Sequence, residues 1–367
     1  MDPSALCNSF EQAIVSGPLH RRLRDKIWPE PLPPSASFKG KTVLVTGATS
    51  GLGLAAGVHF ATLGAKVILT SRSLSHSQSA ISYVERYANV AGEGRVHAME
   101  LDMNQYSSCV SFVNHLEQSD ICREGLDVAV LNAGIINVEF LKSPDGWEQT
   151  IQVNTLSTTL LGLLLLRWMK RTRKGAKASP HLVFVTSRDH LDPDITEWPR
   201  WHVQGGVLKH FSEKGAWPSH MLEPNYAVSK LMLTYAVGNI CNMAAHPDGE
   251  GADVIVNSVC PGLVSTKLGR SITGMSRLMQ VLSFLHLGLM AKSADYGARF
   301  YVTAASTSQE EHGKYIQSLF TDDEYRRLAI PNLTSAAGRE VNEMVWSEII
   351  TELKEKVPIL REWIERL

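Results

Sequence analysis

Paired cysteine chemistry is the first thing this sequence lacks. Its five cysteines, Cys7, Cys109, Cys122, Cys241 and Cys260, are odd in number, far apart and never in C-x-x-C spacing, so neither a disulfide framework nor a zinc site is expected. No metal site is predicted elsewhere, and the thiols read as reduced, core-filling groups. An excess of charge is also missing. Lys and Arg number 36 against 37 for Asp and Glu, a net charge of −1, and the cations are scattered rather than massed. Nothing here matches a phosphate backbone, so no nucleic acid is expected as a partner. Long apolar runs are short as well. The two longest, 156–169 and 278–291, fall below the roughly twenty residues that a membrane-spanning helix needs. The first reads as a buried or interface helix, the second as a hydrophobic lid or a membrane-surface contact. Residues 1–38 mix charges with Pro29, Pro31, Pro33 and Pro34 and have no apolar stretch of the secretory kind, so a cytoplasmic location is expected.

What the chain does contain is apolar content, 44% hydrophobic against 20% charged residues, enough to bury a large core. From Lys41 onward, short β-branched runs alternate with longer helical stretches, the pattern of βαβ units around a parallel sheet. Strands are predicted at 42–46, 66–71, 95–100, 127–131, 181–186 and 253–259, with a last one near 314–316. Helices are predicted at 51–63, 75–90, 106–118, 145–169 and 225–245. The fold class is therefore α/β, a doubly wound Rossmann fold. Residues 1–38 form an N-terminal extension, 39–320 the catalytic domain and 321–367 a C-terminal helical extension. Two stretches interrupt the rhythm and are expected to cover substrate: 188–223, with Trp198-Pro199, Trp201 and Trp217-Pro218, and 265–292, rich in Leu and Met.

The first strand runs into Thr46-Gly47-Ala48-Thr49-Ser50-Gly51-Leu52-Gly53 and then into an Ala- and Leu-rich helix. In that context Gly47 supplies a tight turn, Gly51 lets the backbone approach a pyrophosphate, and Gly53 lets the helix pack close to the strand. Ser50 and Leu52 complete the cradle, and the helix N-terminus offers free N–H groups. After the second strand no acid is present to bond a ribose hydroxyl. Thr70-Ser71-Arg72-Ser73 stands there instead, with a guanidinium and hydroxyls suited to a 2′-phosphate, which favours NADP(H) over NAD(H).

The spacing T-G-x-x-x-G-x-G resembles the short-chain dehydrogenase/reductase family. The resemblance extends from Lys39 to about Leu319. It recurs at Asp102, Asn132-Ala133-Gly134, Asn154, Ser187, Tyr226-Ala227-Val228-Ser229-Lys230 and from Pro261-Gly262 to Thr266. It implies that Asp102 accepts from the adenine amino group, that Asn132 supports the adenosine ribose region, and that Val264 and Thr266 meet the nicotinamide. It further implies that Ser187 holds the substrate oxygen and that Asn154 anchors a water leading to Lys230. A tyrosine ordinarily titrates near 10. Lys230, one helical turn after Tyr226, is expected to stabilise the phenolate and to bond the nicotinamide ribose.

The long stretch between Ser187 and Tyr226 is similar to that of the retinol-dehydrogenase-like branch and of fungal reductases from secondary-metabolite pathways. The expected reaction is hydride transfer between nicotinamide and a carbonyl or secondary alcohol of a bulky, apolar small molecule. The same fold also accommodates C=C or imine reduction, non-redox cyclisation, or cofactor binding without catalysis. His190, His202, His210 and His220 read as loop histidines without metal-ligand spacing. The leucine-rich helix, with Leu160, Leu161 and Leu163 to Leu166, carries more leucine than one core-facing stripe uses. Its outer face is expected to pair with a second subunit in a homodimer, unless the amphipathic run 341–353 covers it.

Overall fold

The computed structural model describes residues 21, 26–172, 179–218, 223–246, 251–264 and 291–365. Seven parallel strands form one sheet in the order β3-β2-β1-β4-β5-β6-β7. These are β1 (Thr42–Val45), β2 (Lys66–Ser71), β3 (Val96–Glu100), β4 (Val128–Leu131), β5 (His181–Val185), β6 (Ile255–Val259) and β7 (Tyr315–Ile316). Strands of a covered parallel sheet are apolar throughout, and the TVLV of β1 and HLVFV of β5 are buried at every position.

Helices cover both faces. Successive strand residues turn to opposite sides: Leu44, Ile68, Ala129, Leu182 and Phe184 join one core, Val43, Val67, Val128, Val130 and Val183 the other. On the second face lie α1 (Gly51–Thr62), α2 (Ser77–Tyr87) and, late in the chain, α8 (Ala294–Ala304). On the first lie α3 (Tyr106–Gln118), α4 (Thr158–Thr172) and α7 (Tyr226–Ala244). Gly162 lets α4 approach β5, since a Cβ there would stand 2.5 Å from Phe184 Cζ.

The helix expected over 145–169 is not continuous. Asp145 accepts from Tyr106 N–H at the start of α3, 2.9 Å. The buried Glu148 then caps a single turn, Gln149–Ile151, by accepting from the N–H groups of Thr150 and Ile151. A π-helical turn, Gln152–Ser157, follows before α4.

The described part of the aromatic stretch, 188–218, carries two short helices, α5 (Trp198–Val203) and α6 (Val207–Phe211). Trp198 is 1% exposed and belongs to the main core, while Trp201 stacks on His210 with ring centroids 3.7 Å apart. These rings pack against the chain's own C-terminal helices.

That C-terminal segment comprises α9 (Asp322–Ala329), α10 (Ala336–Lys356) and α11 (Pro358–Ile364). Val341, Val345, Ile349 and Leu353, spaced four apart on α10, are at most 1% exposed in the same core as α4 and α7. The leucines of α4 are all buried in this single chain, Leu164 at 4% being the most exposed of 160, 161 and 163–166. The leucine face expected to pair with a second subunit is thus buried within this chain, in a core that also contains the C-terminal helices. Most of the leucine- and methionine-rich run 265–292 lies outside the described residues. Among the described residues no helix is long and apolar enough to cross a membrane.

Candidate functional site

The C-terminal ends of β1, β4, β5 and β6 meet the segments expected to carry chemistry. At β1 the turn enters α1 with Gly47 at φ 62° and Gly51 at φ 57°, left-handed values that glycine adopts without strain. A Cβ on Gly47 would press within 3.0 Å of Ala133 Cα, and one on Gly53 would meet Asn132 Nδ2 at 2.6 Å. The turn is therefore packed directly on the 132–134 segment. Thr46 and Thr70 hold it: Ala133 N–H donates to Thr46 Oγ1 (2.9 Å), and Gly47 N–H to Thr70 Oγ1 (3.2 Å).

Ser50 stands at the N-cap of α1 without a side-chain cap, and no acid occupies the first turn. The first N–H groups and the positive end of the helix dipole thus face outward with no carboxylate to compete. Arg72, at the end of β2, is exposed and makes no hydrogen bond or ion pair with the described residues. Next to it the Ser73 and Ser75 hydroxyls bond each other at 2.8 Å. The N–H groups and glycines of this turn fit the pyrophosphate of a nicotinamide dinucleotide, with Arg72 and the two serines beside it.

Asn132 is committed to the scaffold. Its Nδ2 donates to the Thr46 and Gly47 carbonyls, and its Oδ1 accepts from Tyr301 OH at 2.8 Å. Asp102 accepts from Asn104 N–H at 3.0 Å and from Gln105 Nε2 at 3.3 Å, in a turn ahead of α3 whose N-cap is Gln105. Leu52 and Val264 meet over Gly297 of α8, where a Cβ would stand 2.7 Å from each. Thr266 lies outside the described residues.

Asn154 sits in the π-helical turn, a distortion common at functional sites. Its side chain is held by protein on both sides: Nδ2 donates to Ile135 O (2.9 Å) and Ser229 Oγ (3.0 Å), and Oδ1 accepts from Ile135 N–H (2.9 Å). Ser229 in turn donates to Tyr226 O at 2.7 Å, which ties this group to the first turn of α7. Gly134 fits between: a Cβ there would lie 3.2 Å from Asn154 Oδ1 and 3.7 Å from Lys230 Nζ.

Tyr226 opens α7 and Lys230 follows one turn later, with its Nζ 5.6 Å from the Tyr226 ring centroid. The ammonium donates to Val185 O at 3.0 Å. Burial pulls the lysine down to about 8, against the charge of Asp189, which favours the cation. The Tyr226 phenol moves opposite to expectation. Loss of water raises it well above the ordinary tyrosine range, and the carboxylates of Asp189 and Glu223 push the same way. The Ser187 hydroxyl, a hydrogen-bonding neighbour of the phenol, opposes this.

Two acids here were not anticipated. Asp189 lies two residues after Ser187, and its N–H and carboxylate both bond that hydroxyl. Glu223 is exposed as a residue, yet its carboxyl is crowded and is pushed up to about 7, first by loss of water and then by Asp189. The Ser-x-Asp spacing, a capping signal, was available to reveal the first. His190 is no loop histidine: it is fully buried, bonded through Nδ1 to Ser187 O and through Nε2 to Tyr325 OH at 3.1 Å. Tyr301, which fixes Asn132 from α8, gives no local sequence signal at all.

Phe140 and Trp217 meet edge to face, centroids 5.5 Å apart, on segments flanking β4 and α7. A cavity of about 760 Å³ lies elsewhere, between residues 28–33, α8 and β7, and contains none of Ser187, Tyr226 and Lys230. Among the described residues no three His, Cys, Asp or Glu side chains converge as a metal site would require.

The short chain dehydrogenase family profile matches residues 41–195. The short-chain dehydrogenase/reductase ffsI of Aspergillus flavipes is 32% identical, over 95% of this chain and 96% of the relative. A second short-chain dehydrogenase/reductase, phmF of Phaeosphaeria nodorum, is 29% identical over 88% of this chain and 89% of its own length. Among solved structures, L-sorbose reductase from Gluconobacter frateurii, complexed with NADPH and L-sorbose, superposes with a TM-score of 0.54. It is 18% identical and covers 78% of this chain and 98% of its own. With the glycine turn, the seven-stranded parallel sheet and near full-length similarity to such relatives, this chain belongs to the short-chain dehydrogenase/reductase family.

Proposed function

We propose that this protein is an NADP(H)-dependent oxidoreductase that reduces a carbonyl, or oxidises the matching secondary alcohol, on a bulky and largely apolar small molecule, in secondary metabolism. The observation that carries this reading is the meeting of Ser187, Tyr226 and Lys230 at the C-terminal end of the sheet, beside the segment on which the glycine turn packs. NADP(H) over NAD(H) rests on the exposed Arg72 with Ser73 and Ser75, and on the missing acid after β2. The bulky apolar substrate rests on the Phe140 and Trp217 pair.

When bound, the nicotinamide cofactor supplies or takes up the hydride, two electrons with one hydrogen nucleus, at the carbonyl carbon. The chain's own residues manage the proton. In reduction the carbonyl π electrons move to oxygen, and that oxygen takes the Tyr226 O–H proton. The high phenol pKa keeps this donor loaded at neutral pH. Lys230, held near 8 by burial, is the nearby acid from which a proton returns to Tyr226 by way of water. Ser187 orients the reacting oxygen, and Asn154 and Gly134 set the space beside Lys230.

The test is product analysis with NADPH deuterated at the transferable position. Deuterium on a carbinol carbon supports the reading. Deuterium at a former C=C or C=N carbon, or a product formed without cofactor turnover, replaces it with one of the other chemistries of this fold.

A further inference from the structure

The turn leaving β5 reads Ser187-Arg188-Asp189-His190, and the reaction scheme makes no use of Asp189. Its backbone N–H donates to Ser187 Oγ at 3.3 Å, while its Oδ2 accepts the Ser187 hydroxyl at 2.9 Å. The carboxylate is itself held, because Arg188 Nε donates to Oδ1 at 2.9 Å and the same guanidinium pairs with Asp192.

We propose that Asp189 is a positioning residue of this site: it anchors the Ser187 hydroxyl through both its backbone N–H and its carboxylate, and so holds a negative charge beside the Tyr226 phenol. The proposal rests on the reading of Tyr226 as the proton donor. The charged and titratable groups facing Tyr226 come from every neighbouring element. They are Asp189 and Arg188 after β5, Glu223 ahead of α7, Lys230 on α7 and Cys260 at the end of β6. Asp189 additionally faces Asp192, His190 and Tyr315 of β7.

The signs agree. A carboxylate beside a phenol favours its neutral form, so Asp189 helps to keep Tyr226 protonated. Replacing Asp189 by Asn removes that charge and releases Arg188, and both changes ease ionisation of the phenol. Lys230 loses the Asp189 charge that favours its cation and so also titrates lower. Reduction, which needs the protonated phenol, then fails at lower pH than in the parent. Oxidation, which needs the phenolate, becomes faster at neutral pH.

The experiment uses the full chain saturated with NADP⁺, with tyrosine labelled at Cζ. The Tyr226 resonance is the one missing from Tyr226→Phe. In Asp189→Asn its titration midpoint is expected about one unit or more below that of the parent, and Asp189→Glu is expected to return toward the parent value. A parent resonance that does not titrate before alkaline unfolding, beside an Asp189→Asn resonance that does, counts as the same result. Identical behaviour of the two overturns the proposal and leaves Asp189 as a turn cap only. In parallel, the rate of NADPH oxidation with aromatic ketones is followed against pH. A uniform rate loss with an unmoved pH limb also overturns it, whereas a limb moved to lower pH at unchanged NADPH affinity supports it. If no carbonyl compound turns over, the proposed function falls, and the tyrosine midpoint still decides the role of Asp189.

Discussion

Glu348 of α10 accepts from His202 Nδ1 of α5 at 2.7 Å, and the same carboxylate accepts the N–H groups of Val207 and Leu208, each at 2.9 Å. Gly206, the N-cap of α6, has no side chain to cap that helix, so a residue more than a hundred positions later does it. The C-terminal segment therefore holds the 188–223 stretch in shape. Glu348→Ala strips two helix N–H groups of their acceptor and is expected to cost about 1–2 kcal/mol. A drop of a few degrees in the thermal midpoint checks this. An unchanged midpoint would show that water replaces the carboxylate.

Tyr226→Phe removes one hydroxyl from a ring that is 8% exposed. Folding and NADPH affinity are expected to survive, while turnover falls by about a hundredfold or more, the usual contribution of a positioned proton donor. Fluorescence titration of NADPH, alongside initial rates, separates the two quantities. Near-normal rates would remove Tyr226 from the mechanism.

Arg72→Ala tests the cofactor. The guanidinium is proposed to meet only the 2′-phosphate, through charge-assisted bonds worth about 1.5–3 kcal/mol, or roughly tenfold or more in affinity. NADPH binding is expected to weaken by that factor while NADH binding stays level. An equal loss for both cofactors would make Arg72 a structural residue.

The sheet was legible because parallel strands buried on both faces must be apolar throughout, and β2 was placed to the residue at 66–71. The break at 145–157 was not legible, because an apolar run looks the same through an α turn and a π turn. The outer face of α4 was misjudged for a related reason. Leucine count reports that a face is covered, not whether the same chain or another covers it. In the site, glycines with left-handed φ or close contacts marked themselves by type at Gly47, Gly51 and Gly53. Tyr301 and Glu348 act across 169 and more than a hundred residues, and such distant contacts leave no local spacing to read.

Leu164→Glu, which would dissociate a dimer if that side chain lay on a subunit interface, has a different expected outcome. Leu164 is 4% exposed within the core shared with α10. A carboxylate there is unpaired and desolvated, at a cost of roughly 3 kcal/mol or more. The expected result is loss of soluble folded protein. Deletion of residues 334–367 removes the Val341, Val345, Ile349 and Leu353 stripe and is expected to cause association in light scattering. A soluble, monomeric deletion product would show that the stripe is dispensable.

His190 gives the fold an acid-sensitive point. Burial holds its imidazole down to about 4, against the Ser187 carbonyl and the Asp189 charge, which favour the cation. An unfolded histidine titrates near 6.5. Between those values the unfolded chain binds a proton that the folded chain does not, so stability rises with pH across that window and is lost as pH falls through it. The full difference is on the order of 3 kcal/mol, reached near pH 4. Urea midpoints measured from pH 7 to pH 4.5 are expected to decline. His190→Gln keeps a polar side chain beside Ser187 and Tyr325 but cannot titrate, so it is expected to be less stable at pH 7 and to show a flatter decline. Parallel curves for the two proteins would assign the acid sensitivity to carboxylates instead of His190.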